Sequence, residues 1–168
     1  MGTARNGRPA LRLISTPLER EEPAPVVSFC THCGTRPAPV GIAPSSRVCR
    51  ECGLGLILES REDVAPNEGD AFLVLDRSLA VCAVSRAAER LLGTSEPDAV
   101  NRHISSFLMP AAAQEKDSDS LSVAVAWAAR GDGGTRTTVV RPANTFGIRL
   151  TARIASCGPP RAALLVLE

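Results

Sequence analysis

From residue 71 onward, apolar and polar positions fall into short, well-punctuated runs. Ala71–Leu75 contains no polar side chain and is closed by Asp76-Arg77-Ser78, and Leu79–Val84 is a second apolar run. Two strands joined by a tight polar turn is what this pattern predicts. Ser85 then stands where an N-cap belongs, Ala88, Leu91 and Leu92 share one helical face, and Gly93 supplies a stop. Glu96–Val100 and His103–Leu108 read as short helical turns, the second ended by Pro110. A longer helix is expected over Ser118–Arg130, where Leu121, Ala124, Val125 and Ala128 repeat at helical spacing. Asp117 and Asp119 favour its start, Arg130 its last turn, and Gly131 ends it. Thr135–Arg141 is rich in Thr and Val. Across Phe146–Ile154, Phe146, Ile148, Leu150, Ala152 and Ile154 alternate with Gly147, Arg149, Thr151 and Arg153, a strand pattern. Ser156–Pro160 reads as a turn and Ala162–Leu167 as a final strand. Ala71–Leu75 and Ala163–Leu167 are apolar on both faces, as strands covered on both sides would be.

The first seventy residues have a different texture. Residues 1–28 mix Arg5, Arg8, Arg12 and Arg20 with Glu19, Glu21, Glu22 and Pro23-Ala24-Pro25, and disorder is the default reading. Leu11–Leu18 could serve as a short docking peptide. Residues 59–70 are charged, end in turn residues, and read as a linker with at most a helical turn at its start. Between tail and linker lies the strongest chemical signal in the chain: Cys30-Thr31-His32-Cys33-Gly34 and Cys49-Arg50-Glu51-Cys52-Gly53, with 15 residues between Cys33 and Cys49. Two thiolates three apart on a tight turn can both face one ion, and a following Gly lets the chain turn back. Two such turns supply the four tetrahedral ligands of a structural zinc. Phe29, Val40, Ile42 and Val48 alone cannot build a core there, so a metal would replace one, contributing on the order of 10–16 kcal/mol.

Other uses of the four cysteines compete with this one. Paired disulfides need an oxidising compartment. A redox Cys-x-x-Cys wants one motif in a βαβ setting. Iron is the closest rival, since a tetrahedral S4 site suits either metal. His32, between the ligands of the first unit, is expected to face solvent and not to ligate.

Composition narrows the function classes. Net charge is +1 with 19 basic and 18 acidic residues, which argues against a general nucleic-acid or anionic-membrane binder. Lys116 is the only lysine. The longest apolar runs fall far short of a membrane span, and no signal peptide is read at the N-terminus, so a cytoplasmic protein is expected. No nucleophile–base–orienter set and no phosphate-cradling loop is present, so no enzymatic activity is expected.

Two resemblances follow from these residues. The paired Cys-x-x-Cys-Gly units resemble a zinc ribbon over residues 29–58, a family that binds nucleic acid, docks proteins or only staples the chain. Ala71–Asp76 followed by Val84-Ser85-Arg86-Ala87-Ala88-Glu89-Arg90-Leu91-Leu92-Gly93, with Asn101-Arg102-His103-Ile104 beyond, resembles a PAS domain over residues 71–168. The resemblance implies an α+β fold, a PAS-like five-stranded antiparallel sheet with helices on one face and its first and last strands paired at the centre, preceded by the zinc ribbon and the tail. It implies a sensing or dimerisation role, with a protein partner or a second copy on the other sheet face. The light-sensing Asn-Cys-Arg context is absent, and the longer helix carries Trp127 where haem-binding members place a His. His103 lies in another element. Phe72, Val74, Leu92, Phe107, Trp127, Phe146 and Leu150 are the candidates to line a pocket. Cys82 is expected as a small buried hydrophobe, and Cys157, in a Gly-Pro-Pro turn, as exposed. The reading is a zinc-binding regulatory protein in signal transduction or transcription control. Nucleic-acid binding by the ribbon, through Arg36, Arg47 and Arg50 against Glu51, and an iron–thiolate redox protein are the alternatives.

Overall fold

The computed structural model describes residues 24–37, 47–111 and 120–168. The expected docking peptide at Leu11–Leu18, most of the expected tail, Val40, Ile42, Asp117 and Asp119 lie outside the described residues. The described chain forms one antiparallel sheet of eight strands with short helices. The strands are β1 (Val26–Cys30), β2 (Ile57–Arg61), β3 (Ala71–Leu75), β4 (Val81–Val84), β5 (Leu108–Pro110), β6 (Arg136–Pro142), β7 (Leu150–Gly158) and β8 (Ala162–Leu167). The helices are α1 (Arg86–Leu92), α2 (Glu96–Ala99) and α3 (Leu121–Ala129), with a 3-10 turn at Ile104–Ser106.

The centre of the sheet follows from the two-sided apolar strands. β3 pairs with β8 from Ala71↔Leu167 to Leu75↔Ala163, and β8 pairs on its other side with β7 from Ala152↔Leu167 to Cys157↔Ala162. β4 flanks β3, and β6 lies along the first half of β7. Local signals set the helices. Ser85 caps α1, its Oγ accepting from the Ala88 N–H, and Gly93 ends it in the left-handed region at φ 63°. Ser120 caps α3 in the same way through the Val123 N–H.

The sheet is larger than the five strands expected, because the N-terminal hairpin belongs to it. β1 and β2 pair from Val26↔Arg61 to Cys30↔Ile57, and Glu59 and Ser60 of β2 pair with Gly158 and Cys157 at the far end of β7. The expected linker therefore begins inside a strand, and the expected tail ends inside another. Charged residues at 59–62 hid a strand because only one of its faces is buried: Leu58 and Ser60 point in while Glu59 is exposed.

The two faces of the sheet carry separate apolar clusters. Leu73, Leu75, Val81, Val84, Ile154 and Leu165 pack under Leu92, Ile104, Leu121 and Val125 from the helical side. The alternate residues Phe72, Val74, Leu164 and Val166 point to the opposite face, where Phe29 and Leu58 of the hairpin and Val64 cover them. Phe29 is fully buried and meets Phe72 edge to face, with ring centroids 5.8 Å apart. The face expected to receive a partner or a second copy is thus covered by the chain's own hairpin.

Three further expectations are corrected. The strand expected over Phe146–Ile154 runs instead through Leu150–Gly158, because backbone pairing with β8 and β2 carries it past Ser156. Phe146 sits in the preceding turn, 93% exposed. Cys157 is therefore a strand residue in the hairpin-side cluster and is buried, and that burial pushes its thiol up to about 12. Cys82 is exposed. Val74 faces Ala83 and Leu75 faces Val81, so Cys82 is the extra residue of a bulge and is turned out of the alternation.

Replacing Phe29 by Ala should remove the ring that seals hairpin to sheet and destabilise the protein by about 3–5 kcal/mol. Equilibrium denaturant unfolding measures this. A loss below about 1 kcal/mol would mean that the hairpin does not seal this face.

Candidate metal centre

The hairpin ends at Cys30 on one strand and resumes at Ile57 on the other, so the two cysteine turns lie at the end where its strands are joined. Each turn closes the same way: the Gly34 N–H donates to the Cys30 carbonyl at 3.0 Å, and the Gly53 N–H donates to the Cys49 carbonyl at 2.9 Å. The Sγ atoms of Cys30, Cys33, Cys49 and Cys52 converge, all within 4.8 Å of one another. Across the two turns, Cys30 and Cys52 approach to 3.6 Å and Cys33 and Cys49 to 3.9 Å. The structure thus brings together all four residues that the spacing picked out.

The environment suits bound thiolates. The His32 and Cys33 N–H groups point at Cys30 Sγ at 3.4 and 3.5 Å, and the Gly55 N–H points at Cys52 Sγ at 3.5 Å. Thr35 Oγ1 lies 3.1 Å from Cys33 Sγ. Burial pushes the Cys30 thiol up against the pull of the Cys33 and His32 amides, and the Cys49 thiol up against that of the Cys52 and Glu51 amides. At Cys52 burial acts in the same sense, but the Gly55 and Leu54 N–H groups and the neighbouring thiols outweigh it and bring the value down to about 6. A divalent cation bound there would displace their protons and hold all four as thiolates. The donor set fits a tetrahedral S4 ion, zinc or iron alike. Bound there, such an ion supplies a cross-link between the turns that the few apolar side chains nearby cannot supply.

Two glycines show how closely the turns are packed. Gly34 has φ 76°, and a side chain there would strike the Asn67 carbonyl. Gly55 has no room for a Cβ, which would overlap Cys30 Sγ and come within 2.7 Å of the His32 N. Neither position in space was legible from spacing. His32 is not solvent-facing as expected: it is only 7% exposed, its carbonyl accepts from the Arg86 N–H at 2.9 Å, and its Nδ1 lies 3.9 Å from Glu96 Oε2. The packing of this turn against α1 and α2 buries it, and no local pattern announces that packing.

Two of the three ribbon arginines are engaged with the rest of the chain. Arg36 donates to the Ala65 and Pro66 carbonyls at 2.6 and 3.1 Å, and Arg47 to the Pro159 carbonyl at 2.9 Å.

The seven candidates for a pocket do not come together. Phe72 and Val74 occupy the hairpin side of the sheet, because strand alternation gives the helical side to Leu73 and Leu75. Trp127 is half exposed on the outer face of α3 with the Arg136 guanidinium 5.6 Å from its ring, and Phe146 is exposed. Leu150 packs against the helical-side core. Leu92 and Phe107 alone share a cleft, a polar one of about 180 Å³ also bordered by Arg102 and Asn144.

No family model matches the chain, and no curated protein matches it. Among solved structures, the crystal structure of the PAS domain of nitrogen regulation protein NR(II) from Vibrio parahaemolyticus is similar, at 20% identity and a TM-score of 0.44, over 60% of this chain and 88% of that one. No helix among the described residues is long and apolar enough to cross a membrane.

Substituting Gly55 by Ala should push the second turn off Cys30 and weaken zinc binding at least about tenfold, or about 1.4 kcal/mol. Competition with a chromophoric chelator measures it. Gly133→Ala, where a Cβ meets nothing within 4 Å, should leave the affinity unchanged. Equal affinities for the two variants would contradict the close packing of the turns.

Proposed function

We propose that this chain is a zinc-binding regulatory protein that acts by binding a protein partner through or beside a PAS-like body, in signal transduction or transcription control. The observation that carries the reading is the convergence of four cysteine sulfurs in turns packed onto the sheet. A metal there has structural consequences for the whole chain, which suits a regulator. The PAS-like part of the reading is supported by strand order: the first and last strands of residues 71–168, β3 and β8, pair at the centre, with β4 beyond one and β7 and β6 beyond the other. A cytoplasmic setting would keep the thiols reduced and available to the ion.

With the second face of the sheet covered, the surface that best suits a protein partner is the second cysteine turn, where Val48, Leu54 and Leu56 are 43–67% exposed. Nucleic-acid binding by the ribbon loses support from the internal engagement of Arg36 and Arg47.

Native mass spectrometry of the intact chain against its denatured mass tests the metal. One zinc per chain is expected, lost in Cys30→Ser. A chain without metal would overturn the proposal, and iron in its place would favour a redox role.

A further inference from the structure

The first cysteine turn touches more than the metal site. Helix α1 begins at Arg86, whose N–H, like every N–H of a first helical turn, has no partner within its helix. It donates instead to the carbonyl of His32, at 2.9 Å, between two of the four sulfur-bearing residues. The same residue donates its own N–H to Cys30 Sγ. One peptide segment therefore faces a metal-ligating sulfur on one side and the start of a helix on the other. The His32 ring extends the contact. It is buried, its Nδ1 has no hydrogen-bond partner, and the nearest carboxylate oxygen is Glu96 Oε2 at 3.9 Å.

Glu96 is itself held in place. Its Oε1 accepts from the Val84 N–H at 3.1 Å, and its N–H donates to Glu89 Oε1 at 2.7 Å. Glu96 thus ties α2 to β4 and to α1, and presents its other oxygen to the histidine of the metal turn. Beside it, Ser85 accepts from the Phe72 and Ala88 N–H groups and donates to the Asp70 carbonyl, which fixes the start of α1 on β3. The Arg86 N–H and the Glu96 carboxylate that face His32 belong to one packed corner of the PAS-like body.

We propose that the metal centre and the α1–α2 corner are thermodynamically coupled through His32, with Arg86 and Glu96 as positioning residues for the metal site. This rests on the reading of the four cysteines as metal ligands. If the Arg86 N–H and the Glu96 carboxylate set the orientation of the 30–34 turn, displacing them turns the His32 N–H away from Cys30 Sγ and weakens the hold on the ion. Coupling is reciprocal: whatever factor the corner contributes to metal affinity, the metal returns to the order of the corner. A partner or ligand that shifts α1 or α2 would then change metal affinity, and metal loss would be read at the helices.

Two substitutions separate this from general destabilisation. Arg86→Pro removes the N–H together with the guanidinium, and Arg86→Ala, which keeps the N–H, controls for the lost charge and is expected to release zinc at the wild-type rate. Proline is well tolerated at the first helical position, and Ser85, at φ −70° and ψ 151°, already has the extended conformation that a following proline demands. Glu96→Ala removes the carboxylate. Asp98→Ala, in the same short helix and bonded to Ser95 Oγ at 2.6 Å, is the control. Zinc-loaded full-length proteins are mixed with excess chromophoric chelator and zinc release is timed. Arg86→Pro and Glu96→Ala are expected to release zinc at least about fivefold faster than wild type, with unchanged helical circular dichroism, and Asp98→Ala at the wild-type rate. Removing zinc from wild type is expected to speed amide exchange over residues 84–99 more than over α3. Wild-type release rates in both Arg86→Pro and Glu96→Ala, or equal acceleration in Arg86→Ala or Asp98→Ala, would overturn the coupling while leaving the metal centre standing. A wild-type chain that takes up no metal would overturn both.

Discussion

The covered second face of the sheet is the constraint on which the rest of the structure depends. β3 and β8 present apolar side chains on both sides, and a strand pair of that kind is stable in water only when both sides are packed. The helices seal one side. Phe29, Leu58 and Val64 seal the other, and two of these three sit on a two-stranded hairpin that would be marginal alone. The hairpin can hold its position because β2 continues the sheet beyond β7 and because the end where its strands are joined is gathered by the cysteine turns. Cysteine cluster, hairpin and sheet face are links of one chain of support.

That dependence gives the cysteine cluster its significance. In a free-standing ribbon a metal ion would order a few loops and nothing else. Here the residues beside the ligands are shared: Gly34 closes on Asn67, Arg36 on Ala65 and Pro66, His32 on Arg86, and Phe29 on Phe72. Each of these contacts joins a residue within a few positions of a sulfur to a residue beyond β2. An ion that fixes four sulfurs therefore fixes the edge of a larger body, and its loss would be felt there.

Much of this was legible in the sequence wherever local chemistry decides the outcome. The two Cys-x-x-Cys-Gly units announce the sulfur cluster because ligand spacing is a covalent fact. β3, α1 and β8 follow from apolar runs, a Ser cap and a stopping Gly. What local patterns do not encode depends on pairing between distant segments. Glu59–Arg61 look like linker until β1 and β7 lie beside them. Cys82 and Cys157 exchange their expected environments because a bulge at one and a prolonged strand at the other shift the alternation. The pocket residues scatter for a related reason: strand parity assigns Phe72 and Val74 to the hairpin side. His32 shows the limit most clearly, since neither its burial nor its neighbours can be inferred without knowing where α1 and α2 pack.

The shared contacts predict that the cysteine-bearing hairpin and the helical side of the sheet form one cooperative unit. Trp127, the only tryptophan, lies on α3 across the sheet from the hairpin and reports the far side. Urea unfolding of the zinc-loaded chain, followed at once by Trp127 fluorescence and by zinc capture with a chromophoric chelator, tests the claim most directly. Coincident midpoints are predicted. Zinc released at clearly lower urea, with the tryptophan signal still native, would mean that the hairpin is a separate module and would contradict the account.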